Sequence, residues 1–197
     1  MTIQHVLSAV LSYPEQSLID GLPDIDWTLA EWPQARDMLA PLTAMLRNQP
    51  LIALQENYVA TFETDAAHSL HLFEHVHSEN HDRGQARMDL LKKYRGDDFE
   101  PAGNELPDHV PLFLEFLGAL IVDGQEERAE QLLGEAIDVL AAIGYRLERN
   151  ASPYAAAFTV MRTLTDTQPE PQRDPPVRDI DEGGKRSTPA PAVSSHG

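Results

Sequence analysis

The sequence predicts an all-α protein, and three observations carry that prediction. Apolar residues recur at three- and four-residue spacing through most of the first 165 positions. No run of alternating β-branched residues appears, and no Asn-Gly or Asp-Gly turn lies between two strand-like runs. Prolines and short polar residues sit where the apolar stripes begin and end, as helix starts and stops require.

In chain order, Ile3, Val6, Leu7, Val10 and Leu11 form the first stripe, with Thr2 as its cap and Pro14 as its stop. Ala35, Met38, Leu39, Leu42, Met45 and Leu46 form a second, with a kink expected at Pro41. Pro50 opens a third helix carrying Leu51, Leu54, Tyr58 and Phe62. Gly84 to Tyr94 reads as a fourth, with Met88, Leu91 and Tyr94 inward. Val110 to Val122 is apolar nearly all round, the pattern of a central helix buried on most sides. From Glu126 to about Arg149 one face is lined by Ala129, Leu132, Leu133, Ala136, Ile137, Leu140, Gly144 and Leu147, with acids early and arginines late. Ser152 is placed to cap a last helix with Pro153 in its first turn and Tyr154, Phe158, Met161 and Leu164 inward. The expected architecture is a single-domain helical bundle over residues 1–166.

From Thr167 the composition changes. The last 31 residues hold six of the 15 prolines and no aromatic residue, so they bury too little to offset ordering, and a disordered tail over 167–197 is expected. The chain lacks cysteine, which excludes disulfides, thiolate nucleophiles and cysteine-bound metal centres. Residues 1–13 carry no Lys or Arg and no continuous apolar run, unlike a secretory signal. The longest apolar stretch, Val110 to Val122, is interrupted by Glu115 and is shorter than the ~18 residues a membrane span needs. A soluble cytoplasmic protein is expected.

The net charge is −17, which disfavours nucleic acid and anionic membrane and favours basic partners. Between Arg95 and Arg128 there are nine acids and no base, and residues 1–35 contain five acids and no base. Composition allows two readings of this, a solubilising face or a docking surface for a cationic peptide.

Few constellations carry chemistry. Five of eight histidines cluster at His68, His71, His75, His77 and His81, and a helix over 69–76 would put His71 and His75 one turn apart, a metal-chelating spacing. The HExxH order is absent and no third ligand is identifiable, so structural or partner-contact histidines are favoured, with no metal and no cofactor expected. Gly183-Gly184-Lys185-Arg186-Ser187 matches only part of a phosphate loop and is rejected. Glu105-Leu106-Pro107-Asp108-His109-Val110 precedes the central helix, where Asp108 is placed to cap it, while Glu105 and His109 add an exposed acid and a titratable ring.

The run Ser69-Leu70-His71-Leu72-Phe73-Glu74-His75-Val76-His77, followed by Asp82-Arg83-Gly84-Gln85-Ala86, resembles the nitrate reductase delta subunit family, the NarJ-type molybdenum cofactor assembly chaperones. So does Glu105-Leu106-Pro107-Asp108-His109-Val110-Pro111-Leu112-Phe113-Leu114-Glu115-Phe116-Leu117, and Leu11-Ser12-Tyr13-Pro14 and Tyr58-Val59-Ala60-Thr61-Phe62 fit the same pattern. Glu105, Pro107, Asp108 and His109 match the acidic-Pro-Asp-His motif of the broader family of redox-enzyme maturation chaperones. The resemblance covers about residues 3–165.

It implies a non-enzymatic helical chaperone, monomeric or weakly dimeric. Its partner would be the apo catalytic (alpha) subunit of a respiratory nitrate reductase, bound through a basic N-terminal peptide before molybdenum cofactor and iron–sulfur insertion. No nucleic acid and no membrane insertion is implied. The peptide would meet Glu105, Asp108 and His109 at the rim of a groove, Phe113 and Phe116 on its floor, and His71, Phe73, His75 and Tyr58 beside them. The alternatives are a His/Glu metal-binding helical protein and a generic acidic helical interaction module. Deleting residues 167–197 is expected to leave the melting temperature within a few degrees of the full chain's, measured by circular dichroism.

Overall fold

A helix with apolar residues on every face is stable only where other helices surround it. In the computed structural model, which describes residues 1–76, 80–101 and 105–169, this is the position of the helix Val110–Val122, with nine of its 13 residues buried. The described chain holds α1 (Ile3–Leu11), α2 (Gln16–Asp20), α3 (Leu22–Ala30), α4 (Pro33–Asn48), α5 (Leu51–Phe62), a 3-10 turn (Ala66–His68), α6 (Leu72–Val76), α7 (Asn80–Gly96), α8 (Val110–Val122), α9 (Glu126–Arg149) and α10 (Ala155–Met161). It is an all-α bundle, as expected. Its one backbone bridge of β type among the described residues joins His71 and His109.

α1 and α9 both pack on α8, while α10 lies against α9 and α4, so one hydrophobic core runs from Ile3 to Met161. Small residues set the closest approaches. A Cβ on Gly118 of α8 would stand 2.6 Å from the His5 ring of α1, and one on Gly144 of α9 would stand 2.6 Å from Cβ of Phe158. Thr2 caps α1 in a reciprocal arrangement: its Oγ1 accepts from the His5 amide at 3.4 Å, and its own amide donates to His5 Nδ1 at 3.3 Å. α9 carries Glu126 and Glu127 in its first turn and Arg146 and Arg149 in its last, complementing the helix dipole.

The structure adds detail at two places and corrects two expectations. Residues 16–30 form α2 and α3, with Leu22, Ile25 and Leu29 buried one turn apart and proline in the first turn of α3. α4 continues as one 16-residue helix through Pro41, which lies on its exposed side. On α7 the inward residues are Leu90 and Tyr94, with Leu91 partly buried, whereas Met88 is exposed. α10 begins at Ala155 with Tyr154 rather than Ser152 at its cap position, because residues 153–154 form a turn in which Ser152 O accepts from Ala155 N–H at 3.1 Å.

Among the described residues no helix is long and apolar enough to cross a membrane. Thr165 is buried, and Thr167 packs over Gly134, so packing carries one residue past the expected boundary at 166. Most of the stretch expected to be disordered lies outside the described residues.

The glycine contacts give a paired prediction. Gly144→Ala gains helix propensity worth about 1 kcal/mol but places a methyl against the buried Phe158, so a net loss of about 2 kcal/mol is expected. Gly84→Ala on exposed α7 meets nothing within 4 Å and should stabilise by up to about 1 kcal/mol. Urea denaturation of the two variants checks both signs.

Candidate functional site

Two segments far apart in sequence meet at one place. The amide of Leu72 donates to Asp108 O at 3.0 Å, and that of Val110 donates to Leu70 O at 2.8 Å, which sets His71 opposite His109 in an antiparallel bridge. Opposed residues project from the same face of such a pair, and the two imidazoles lie 5.2 Å apart with a tilt of 33°.

Asp108 holds this junction together. It is fully buried. Its Oδ2 accepts from the Phe73 amide at 3.2 Å and its Oδ1 from Arg87 Nε at 2.7 Å. His71 Nδ1 stands 3.7 Å from Oδ1, an electrostatic contact beyond hydrogen-bonding distance. Burial by itself pushes this carboxyl upward. The His71 and Arg87 side chains and the Phe73 amide together outweigh that and hold it at about 2, so it is ionised at neutral pH. The Tyr94 hydroxyl fixes the same loop from α7 by donating to Pro107 O at 2.6 Å. The expectation that Asp108 caps the central helix is therefore corrected. His109 occupies that position with no side-chain cap bond, and the Asp108 carboxylate points to α6 and α7 instead.

In front of the histidine pair lies a groove of about 940 Å³. Its apolar lining includes Leu18, Tyr58, Phe62, Leu70 and Leu112. Glu15, Glu63, Glu105 and Glu115 add four carboxylates, and no Lys or Arg is among the described lining residues. The Tyr58 ring is fixed by its hydroxyl, which donates to Leu11 O at 3.1 Å, and by edge contacts with Tyr13 and Tyr154. Ser8 donates to Glu115 at 3.3 Å, and Glu105 stands 3.5 Å from His109 Nδ1. Burial lowers the His109 pKa below 6.5, and the neighbouring His71 adds to this against the opposing pull of Glu105 and Asp108. The neutral ring is therefore favoured over the charged one.

The other predicted site residues are dispersed. Glu105, His109, His71 and Tyr58 line the groove. Phe73 and Phe113 line a separate apolar cavity of about 250 Å³ with Leu72, Val76 and Leu90. Phe116 is interior, packed 4.5 Å from Tyr94 and 5.4 Å from Phe99, so neither Phe113 nor Phe116 lines this groove. His75 is engaged at both nitrogens: Nε2 is 2.8 Å from Ser69 O and Nδ1 is 3.3 Å from Arg146 Nη1. His68 is buried against Asn150 at 3.0 Å, and His81 is exposed beside Asp82. His77 lies outside the described residues. Among the described residues no three His, Cys, Asp or Glu side chains converge as a metal site. Sequence reasoning missed Glu63 and Arg87. Glu15 was visible only as one acid of a cation-free stretch, and no sequence signal pairs Arg87 with a residue 21 positions later.

Fold and site together define an all-helical protein built around an acidic, apolar-floored groove. The chain belongs to the nitrate reductase delta subunit family, whose profile matches residues 30–160. It is 35% identical over 164 residues to the "Probable nitrate reductase molybdenum cofactor assembly chaperone NarW" of Escherichia coli strain K12, covering 83% of this chain and 68% of that protein. It is 40% identical over 129 residues to the nitrate reductase molybdenum cofactor assembly chaperone NarJ of the same strain, covering 66% of this chain and 51% of NarJ. A Bacillus subtilis protein described as a probable chaperone of the same kind is 30% identical over 157 residues, 79% of this chain and 83% of its own length.

Removing the Asp108 carboxylate leaves a partly buried guanidinium and the Phe73 amide without their acceptor. Asp108→Ala is therefore expected to cost about 3 kcal/mol, read by urea denaturation. Because the folded pKa lies below the unfolded value near 3.8, this carboxylate contributes about 2 kcal/mol above pH 4, lost as pH falls toward 2. Asp108→Asn should lack that part of the acid dependence.

Proposed function

We propose that this chain is a cytoplasmic assembly chaperone, acting as a monomer or weak dimer. It binds the basic N-terminal segment of an apo respiratory nitrate reductase catalytic subunit and keeps that subunit open to molybdenum cofactor and iron–sulfur cluster insertion before membrane attachment. One observation carries this reading. The groove combines an apolar lining with four glutamates and no described Lys or Arg. An amphipathic basic helix has the complementary surface, with an apolar face for the Tyr58–Phe62–Leu112 side and cationic residues for the rim. The family membership and the chaperone names of the relatives point the same way.

Physically, the acidic rim steers the cationic segment and discriminates against acidic ones, while burial of the apolar face supplies most of the affinity. Rim carboxylates remain solvated, so the complex forms fast and releases without breaking a buried ion pair. The role is binding rather than catalysis. The most perturbed acid at the junction, Asp108, is consumed by Arg87 and the Phe73 amide and holds the wall of the groove.

Calorimetry of a synthetic client N-terminal peptide at low and high salt tests the proposal. Wild-type affinity should fall with salt. Glu63→Gln and Glu105→Gln should each weaken binding about threefold at low salt and flatten the salt response. Affinity should be level above pH 7 and drop as pH falls below 6.5, because protonating His109 places a positive charge beside the cationic ligand. His109→Gln should remove part of that drop. A charge-neutralised peptide that binds as tightly as the basic one, with the same salt slope, would sink the proposal.

A further inference from the structure

The groove's glutamates differ from other acids of the bundle in what meets them. Asp26 is paired with Arg47, Asp97 with Arg128 and Glu135 with Lys93, each across two segments of the chain. No Lys or Arg shares the described groove lining with Glu15, Glu63, Glu105 and Glu115. Like charges gathered beside the apolar Tyr58, Phe62 and Leu112 without a countercharge attract a cationic, partly apolar occupant. The sequence beyond the described residues contains one. Residues 170–182 hold five acids and two arginines, whereas residues 183–197 hold Lys185 and Arg186 and no acid. Ala190, Pro191, Ala192 and Val193 follow the two cations with apolar surface.

Position and length agree with charge. The described chain ends at Pro169, and Asp166 shares a cavity with Gln4 of α1 and Ile121 of α8. The groove is lined by Ala9 toward the other end of α1 and by Pro111, Leu112 and Glu115 toward the other end of α8. Helical rise separates these positions by about 8–15 Å, and one helix diameter adds about 10 Å. Gly184 is 15 residues beyond Pro169, and a chain of that length reaches up to about 50 Å. We propose that residues 183–193 occupy the groove of the client-free chain, with Lys185 and Arg186 at the glutamate rim and residues 190–193 against the Tyr58–Leu112 side. The inference rests on the reading of the groove as a site for a basic segment, and it adds the regulation of that site. A tethered competitor meets the groove at an effective concentration of about millimolar, whatever the protein concentration. A client must displace it, so weakly matched basic sequences are refused.

The chain has no cysteine, so Ser194→Cys in the full chain gives a single attachment point for a nitroxide. Paramagnetic broadening of amide NMR signals should concentrate on Glu63, Leu112 and Glu115, and Lys185→Glu with Arg186→Glu should reduce it about threefold at low salt. Broadening spread evenly over the surface, or unchanged by the charge reversal, overturns the proposal. A mixture of nitroxide-bearing chain and isotope-labelled chain without nitroxide should show no broadening. Broadening in that mixture assigns the segment to a second copy and overturns the intramolecular contact. By calorimetry at low salt, the charge-reversed full chain should bind the basic client peptide about fivefold more tightly than wild type, because the competitor is removed. Equal affinity overturns the regulation. Failure of the peptide to bind either protein removes the chaperone reading instead, and the broadening pattern then still decides whether the segment occupies the groove.

Discussion

A charged carboxylate taken out of water must be repaid locally, and Asp108 imposes that demand on three segments at once. Its side chain requires Arg87 from α7 and the Phe73 amide from α6, and its peptide oxygen takes the Leu72 amide. Meeting those needs fixes the loop before α8 against α6 and brings His71 and His109 face to face. The groove's histidine wall thus depends on a residue that does not itself line the groove. Tyr94 reinforces the loop from the other side through Pro107, with its ring seated on Phe116.

The acidity of the chain separates into two kinds once folded. Asp97 and Asp108 are interior and each has an arginine, Arg128 and Arg87. Glu105 and Glu115 face the groove, joined there by Glu15 before α2 and Glu63 after α5. The long cation-free stretch of sequence is therefore not one surface. Some of its acids hold the fold, and others set the potential that an approaching ligand meets.

Much of the architecture was legible because it rests on local periodicity. The bounds of α8 and α9 follow directly from their apolar faces, and Thr2, Pro50 and the late arginines of α9 mark termini by capping and dipole rules that act within one turn. α2 and α3 were not legible, because five acids and two tryptophans in residues 15–32 obscure a three-residue apolar stripe. The site was legible as motifs but not as geometry. Asp108 was noticed next to a helix start, where capping is the local explanation, whereas its actual partners are 21 and 35 positions away. Phe113 and Phe116 show the same limit: on a helix apolar all round, sequence does not say which ring faces a cavity and which faces the core.

The packing of α1 on α8 also bears on how the protein is made. Ser8 and Glu115, joined by a hydrogen bond across that contact, are 107 residues apart. Ribosomes add roughly 5–20 residues per second, so α1 emerges on the order of 5–20 seconds before α8 exists to cover it. Throughout that interval Ile3, Val6, Leu7, Val10 and Leu11 can shelter only against earlier elements such as α3 and the Tyr58 end of α5. The nascent N-terminal half is thus the aggregation-exposed portion of this polypeptide, and its long-range closure places folding among the slower helical topologies.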